Sequence, residues 1–230
     1  MIPRRTEIAG LPALIWGEDS PRVWLCVHGK MASKESAEHV ARIAVERGCQ
    51  CVAFDLPQHG ERDGEPDRCD VWNGVRDLRV VCDEVFRRWE EVSLYACSLG
   101  AYFALMGCAD RPFRRCLLQS PIVDMPHLIG KMFLWFGVTK ERLRQEREID
   151  TPVDLLSWDY YQYALAHPVT DWRAPTAILY AGRDDLQSRE VMEAFAARHR
   201  CELTVAEDSL HPFMAEADAP LVARWLSGHI

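Results

Sequence analysis

The sequence has no uninterrupted apolar run of eighteen residues, so nothing in it reads as a membrane-spanning helix. No apolar stretch follows the basic start Met1-Ile2-Pro3-Arg4-Arg5, so a secretory leader is not expected either. Positive charge is in short supply. Lys and Arg total 27 against 35 Asp and Glu, a net charge of -8, which argues against a surface built for nucleic-acid phosphates. Neither G-x-G-x-x-G nor a P-loop is present, which removes the usual backbone cradles for nucleotide phosphates. There is no C-x-x-C pair, and nine cysteines is an odd number for a disulfide framework. Cys26, Cys51, Cys97 and Cys116 fall in or at the ends of expected core strands, and Cys82 and Cys108 in expected helices. Buried free thiols in a reducing compartment fit this pattern, and a soluble cytoplasmic protein is the expectation. Internal repeats and low-complexity tracts are also missing.

What remains is an ordinary globular composition, 48% apolar and 27% charged over 230 residues, enough for one domain with a sizeable core. Thr6 to Trp16 reads as an irregular pair of edge strands around Gly10 and Pro12. Arg22 to His28 is a continuous apolar run, as expected of a strand covered on both faces. A helix is expected from about Ser36 to Gly48, then a strand over Cys51 to Asp55. Val71, Val75, Leu78, Cys82, Val85 and Trp89 recur at three- and four-residue steps, the pattern of an amphipathic helix. Further strands are expected at Ser93–Cys97, Arg115–Ser120, Thr176–Tyr180 and Glu202–Ala206, with helices after Ser98, Ser188 and Asp218. This alternation predicts an α/β fold with a doubly wound, mostly parallel sheet. It lapses over residues 121–172, which hold many aromatic residues and a charged run, Lys140 to Glu148, read as one solvated helix face.

In doubly wound sheets ligands bind beyond the carboxyl ends of the strands. His28-Gly29-Lys30, Asp55, Ser98, Asp124, Asp184 with Asp185, and His211 all fall at such ends. Ser98 lies at the junction of a buried strand and a helix, between the small residues Ala96 and Gly100. A turn that sharp crowds two backbones together and exposes the serine Oγ beside the N–H groups that open the helix. A serine hydroxyl needs a base, and the base needs an orienting group. His211 is the histidine of the loop after the last expected strand, and Asp184 or Asp185 follows the strand before it. An attacked carbonyl also needs N–H donors for its oxygen. The backbone N–H of Leu99 and that of Lys30, after His28-Gly29, are the candidates.

The chain resembles the α/β-hydrolase superfamily of serine esterases and lipases. The resemblance is carried by His28-Gly29 after a strand, by Asp55-Leu56-Pro57-Gln58-His59-Gly60-Glu61-Arg62 and by Ala96-Cys97-Ser98-Leu99-Gly100, with an acid in the turn after Tyr180 and His211 following in order. It implies a single α/β-hydrolase domain over residues 1–230, with 121–172 inserted as a small helical cap. It implies Ser98 as nucleophile, His211 as base, Leu99 and Lys30 N–H groups as oxyanion hole, and no cofactor or metal. The family frame G-x-x-D favours Asp184 if Ala181 stands for the Gly, while a frame on Gly182 selects Asp185; Asp184 is preferred. Ala96 and Gln58 each replace a family Gly, and Lys30 is an uncommon residue after His-Gly.

The expected activity is hydrolysis of a carboxylic ester or thioester through an acyl-enzyme. The substrate would be a small molecule, with an apolar acyl or aryl group if the cap aromatics line a pocket and do not only pack the cap. Alternatives are a non-catalytic small-molecule-binding protein on the same scaffold, and a lyase or carbon–carbon hydrolase using the same three residues. Cys97 as nucleophile loses the spacing to Gly100. A metal site on His28, Asp55 and His59 matches no established ligand pattern.

Overall fold

The computed structural model describes all 230 residues. In chain order its strands and helices are β1 (Arg4–Ile8), β2 (Leu11–Trp16), β3 (Arg22–Val27), α1 (Glu38–Glu46), β4 (Gln50–Phe54), α2 (Val71–Arg88), β5 (Glu91–Cys97) and α3 (Ser98–Gly107). There follow β6 (Cys116–Gln119), α4 (Met125–Phe136), α5 (Lys140–Glu146), β7 (Glu148–Asp150), β8 (Leu155–Ser157), α6 (Trp158–Ala166), β9 (Thr176–Ala181), α7 (Arg189–His199), β10 (Glu202–Ala206) and α8 (Ala219–His229). Eight strands form one sheet in the order β1-β2-β4-β3-β5-β6-β9-β10. The six from β4 to β10 run parallel, and the β1–β2 hairpin joins β4 antiparallel.

Alternate residues of the central strands feed two cores, because successive side chains of a strand point to opposite faces. Leu25 and Val27 of β3 belong to the core beneath α2, α3 and α7, while Trp24 and Cys26 belong to the core beneath α1 and α8. A strand buried on both faces has no position for a polar residue, which accounts for the apolar run of β3. From β3 the chain lays β4 on one side and β5 on the other, so the winding reverses between β3 and β5. The crevice expected at such a reversal lies beyond Val27 and Cys97.

Three expectations change in detail. β2 is not an edge strand, since it is paired with both β1 and β4. The helix expected from Ser36 opens as a 3-10 turn over Lys34–Ala37 and becomes α-helical at Glu38. The run Lys140 to Glu148 is not one helix face. Helix α5 ends at Glu146, Arg147 takes a left-handed φ of 70°, and Glu148 begins a strand. Leu143 is fully buried, so that helix also has a packing side.

Between β6 and β9 lie α4, α5, the antiparallel β7–β8 ribbon and α6. Phe133, Phe136, Trp158, Tyr160, Tyr161 and Tyr163 pack from this segment onto the larger core. All nine cysteines are free, and Cys26–Cys51 and Cys82–Cys108 bring their sulfurs to 3.3 and 3.2 Å. No helix is long and apolar enough to cross a membrane.

Candidate active site

β5 passes directly into α3 at Ser98, which adopts φ of 50°. For a side chain other than glycine's that left-handed backbone is strained, and the surrounding packing holds it. The packing is tight by measurement. A Cβ on Gly100 would lie 2.2 Å from the His28 carbonyl oxygen, and one on Gly29 would lie 3.1 Å from Ser98 Cβ. Gly100 is therefore required by the close approach of the β3 loop to the start of α3, and a side chain at Gly29 would crowd Ser98. Ala96, where a glycine was the reference, is fully buried in β5 and pairs with Val27 and Leu118.

Ser98 Oγ lies 2.8 Å from His211 Nε2, and His211 Nδ1 lies 2.7 Å from Asp184 Oδ2. A carboxylate oxygen only accepts, so Nδ1 carries the proton and Nε2 is left to accept from the serine hydroxyl. Asp184 is immobilised through its other oxygen: Oδ1 accepts the N–H groups of Leu186 at 2.7 Å and Gln187 at 3.1 Å. Its side chain is fully buried, whereas Asp185 is exposed and offers only its carbonyl, to Lys131 Nζ. The geometry thus brings Asp184, and not Asp185, to His211. Cys97 is held as a thiol; burial, then the nearby Asp184 charge, pushes its pKa up to about 12.

Sequence reasoning missed two glutamines that fix these loops. Gln119, at the end of β6, donates to the Pro212 carbonyl at 3.0 Å and accepts the Tyr95 hydroxyl at 3.0 Å. Gln187 is fully buried; its Oε1 accepts the N–H groups of Val123 and Asp124, and its Nε2 donates to the Asp124 carbonyl. The available signal was polarity: Gln119 closes the otherwise apolar run Cys116-Leu117-Leu118.

The loop after β3 is held from two sides. His28 Nδ1 donates to the Gly29 carbonyl at 2.7 Å, and its Nε2 accepts the Leu56 N–H at 3.0 Å. Burial lowers its pKa to about 4, against a smaller raising effect of the Gly29 carbonyl, so the ring is neutral. His59 Nε2 accepts the Met31 N–H at 3.1 Å, and its Nδ1 donates to the Pro57 carbonyl. Asp55 is fully buried and accepts from the Lys34 N–H, the Lys34 ammonium and the Glu61 N–H. Every donor and acceptor atom of the His28, Asp55 and His59 set is thus engaged within the protein, and no group of side chains comes together as metal ligands. The Lys30 ammonium pairs with Asp154, in the turn of the β7–β8 ribbon. Asp124 caps α4 by accepting the His127 N–H.

The site is nearly closed, with Ser98 only 7% exposed. Two surface hollows, of about 400 and 420 Å³, lie elsewhere, one below the β10–α8 loop and one beside Trp89.

Residues 19–225 match the alpha/beta hydrolase family. A serine hydrolase-like protein of Dictyostelium discoideum is 25% identical over 103 residues, a match that spans 44% of this chain and 29% of that protein's length. Among solved structures, Est1E of Butyrivibrio proteoclasticus with ferulic acid bound superposes with a TM-score of 0.79 at 16% identity, over 98% of this chain and 96% of its own. A Pyrococcus furiosus esterase gives 0.68 at 17% identity, over 99% and 88%. At these identities the superpositions show the fold.

Proposed function

The chain belongs to the alpha/beta hydrolase family, and on that premise we propose that it is a serine hydrolase cleaving a carboxylic ester or thioester through an acyl-enzyme on Ser98. The observation that carries the reading is the unbroken relay from Ser98 Oγ to His211 Nε2 at 2.8 Å and from His211 Nδ1 to Asp184 Oδ2 at 2.7 Å. His211 takes the serine proton as Oγ attacks the carbonyl carbon. The imidazolium, held by Asp184, then protonates the leaving alcohol or thiol. In the second half His211 takes a proton from water, the hydroxide attacks the acyl carbon, and Ser98 leaves with the proton returned to it.

Negative charge on the carbonyl oxygen is met by two backbone donors. Leu99 N–H lies in the first turn of α3 and has no intrahelical acceptor. The second is Lys30 N–H. The His28 ring holds the Gly29 carbonyl on one side of a trans peptide, which turns the Lys30 N–H to the other. The 121–172 segment acts as the cap, with its aromatic residues favouring an apolar acyl or aryl group; the ferulic acid bound to Est1E makes aryl acid esters the first panel to try. All roles fall to protein groups, so no cofactor is invoked. A fluorophosphonate probe should label the native protein and spare Ser98→Ala. Equal labelling of both would overturn the assignment.

A further inference from the structure

We infer that His59 is a positioning residue for the oxyanion hole: by accepting the Met31 N–H, its ring fixes the direction of the Lys30 N–H. The inference rests on the Ser98 reading of the site, with the Lys30 N–H as second oxyanion donor.

A peptide unit is planar, so the soft angles of Lys30 are its own φ and ψ, and holding the peptides on either side of it fixes both. Each of those peptides is held by one imidazole. His28 Nδ1 lies 2.7 Å from the Gly29 carbonyl oxygen and holds the peptide before Lys30. His59 Nε2 lies 3.1 Å from the Met31 nitrogen and holds the peptide after it. The same rings tie two loops together. His28, after β3, accepts the Leu56 N–H of the loop after β4, and His59, in that second loop, accepts an N–H of the first. The ring centroids are 5.3 Å apart.

Of the two partners, Met31 is the one that needs holding. Its φ of 62° is left-handed, a strained backbone for a residue with a side chain. That side chain is 93% exposed, so no packing of its own keeps it there. His59 comes from a turn anchored in the protein. Its N–H donates to the Leu56 carbonyl at 3.1 Å, and its carbonyl accepts the Arg62 N–H at 2.9 Å. A Cβ on the next residue, Gly60, would run into the buried Asp55 carboxylate, which the Lys34 ammonium holds at 2.6 Å. His59 Nδ1 donates to the Pro57 carbonyl at 2.8 Å, which leaves Nε2 as the acceptor. The anchored turn thus holds the strained residue. A donor turned away from the developing oxyanion weakens the transition state and leaves substrate binding alone, so the role shows in kcat and not in KM.

The test compares two substitutions. Asparagine reaches only to the place of Nδ1 and can keep the Pro57 bond, while glutamine reaches to the place of Nε2 and can accept the Met31 N–H. On a 4-nitrophenyl ester of a short acid, His59→Asn should lower kcat by roughly ten- to a hundredfold, less than outright loss of an oxyanion donor, with KM within twofold. His59→Gln should return kcat to within about threefold of native. The matching thionoester develops its charge on sulfur, a weak acceptor, so His59→Asn should slow it at least fivefold less than the ester. Amide exchange at Met31, followed in 15N-methionine protein, should speed up at least tenfold in His59→Asn and return toward native in His59→Gln. Thermal melting sets a temperature at which all three proteins are folded. A kcat for His59→Asn within threefold of native overturns the inference. Equal slowing of ester and thionoester also overturns it, since His59 then only supports the loop. So does His59→Gln regaining Met31 protection without regaining rate; if it regains neither, the ester-to-thionoester ratio of His59→Asn decides. Native protein that fails to react with fluorophosphonate counts against the Ser98 reading, and the His59 role falls with it. Normal labelling with equal slowing counts against His59 alone.

Discussion

Replacing Asp184 by Asn isolates the acid's electrostatic role while keeping its shape. Asp184 Oδ1 accepts two backbone N–H groups, from Leu186 and Gln187, and only Oδ2 meets His211. An asparagine must leave its carbonyl oxygen toward those two donors, because its NH2 group cannot accept from them. The NH2 therefore faces His211 Nδ1 and donates to it. That forces the other tautomer: Nδ1 accepts, Nε2 carries the proton, and the ring no longer serves as base for Ser98. The same exchange in a serine protease costs about 10⁴ in kcat. A loss of roughly 10³ to 10⁴ is expected here, about 4–5 kcal/mol of transition-state stabilisation. The two backbone hydrogen bonds survive, so the melting temperature should change little. Asp185→Asn, at an exposed side chain, should stay within twofold of native. The assay is kcat/KM on 4-nitrophenyl esters of short acids, with fluorophosphonate labelling rates as a second readout. Asp184→Asn retaining more than a tenth of native activity, or Asp185→Asn losing as much as Asp184→Asn, would refute the tautomer argument.

Lys30→Ala should hold kcat within about threefold, because the proposed oxyanion donor is the backbone N–H and the lost, partly exposed pair with Asp154 contributes about 0–1 kcal/mol; a hundredfold loss would mean that the ammonium itself takes part. Gln119→Leu removes the donor to the Pro212 carbonyl, and kcat should fall by about tenfold with KM little changed, since the bond positions the His211 loop and not substrate; an unchanged kcat would show the loop to be held without it. Burial keeps His28 neutral, with a pKa of about 4 against 6.5 unfolded. The unfolded chain takes up a proton below about pH 6.5 and the folded chain only near 4. Stability is thus fully present above that window and falls as pH drops through it, by about 3 kcal/mol. Urea unfolding at pH 7.5, 5.5 and 4.5 measures this, and His28→Gln, which can keep both hydrogen bonds without titrating, should flatten the dependence; parallel curves for the two proteins would refute it.

The sheet was legible because its central strands are buried on both faces, and runs such as Val23 to Val27 or Thr176 to Ala181 have the length of strands and end at turn residues. Placing Ser98 and His211 at strand ends followed from the same runs. What the sequence left open was local and three-dimensional. Asp184 and Asp185 are chemically identical, and the choice between them depends on which carboxylate receives the Leu186 and Gln187 N–H groups. Likewise the end of α5 was hidden, because a charged run gives no sign that Arg147 adopts a left-handed backbone and turns the chain into β7. The Lys34 ammonium, buried against Asp55, was invisible because lysine so seldom lies inside.

The topology also explains why Gln119 stands where it does. Ser98 follows β5 and His211 follows β10, with β6 and β9 between them. Neighbouring strands are about 4.8 Å apart, so the histidine loop must reach back across about 14 Å of sheet edge. The loop and the His211 side chain cover that distance together, and the loop itself is folded into two turns, closed by Ser209 N–H on the Ala206 carbonyl at 3.1 Å and by Phe213 N–H on the Leu210 carbonyl at 2.8 Å. Side chains and backbone groups at the strand ends then fix these turns against the sheet. Ser209, at the base of the loop, receives Arg183 N–H on its carbonyl and donates its hydroxyl to Asp218. Gln119, at the end of β6 and beside the strand that carries Ser98, takes the Pro212 carbonyl. Asp184, at the end of β9, takes the His211 ring. Each strand crossed by the loop thus contributes one polar side chain from its carboxyl end. The imidazole is therefore placed from the carboxyl edge of the sheet, through Gln119 on the Pro212 carbonyl and Asp184 on the ring.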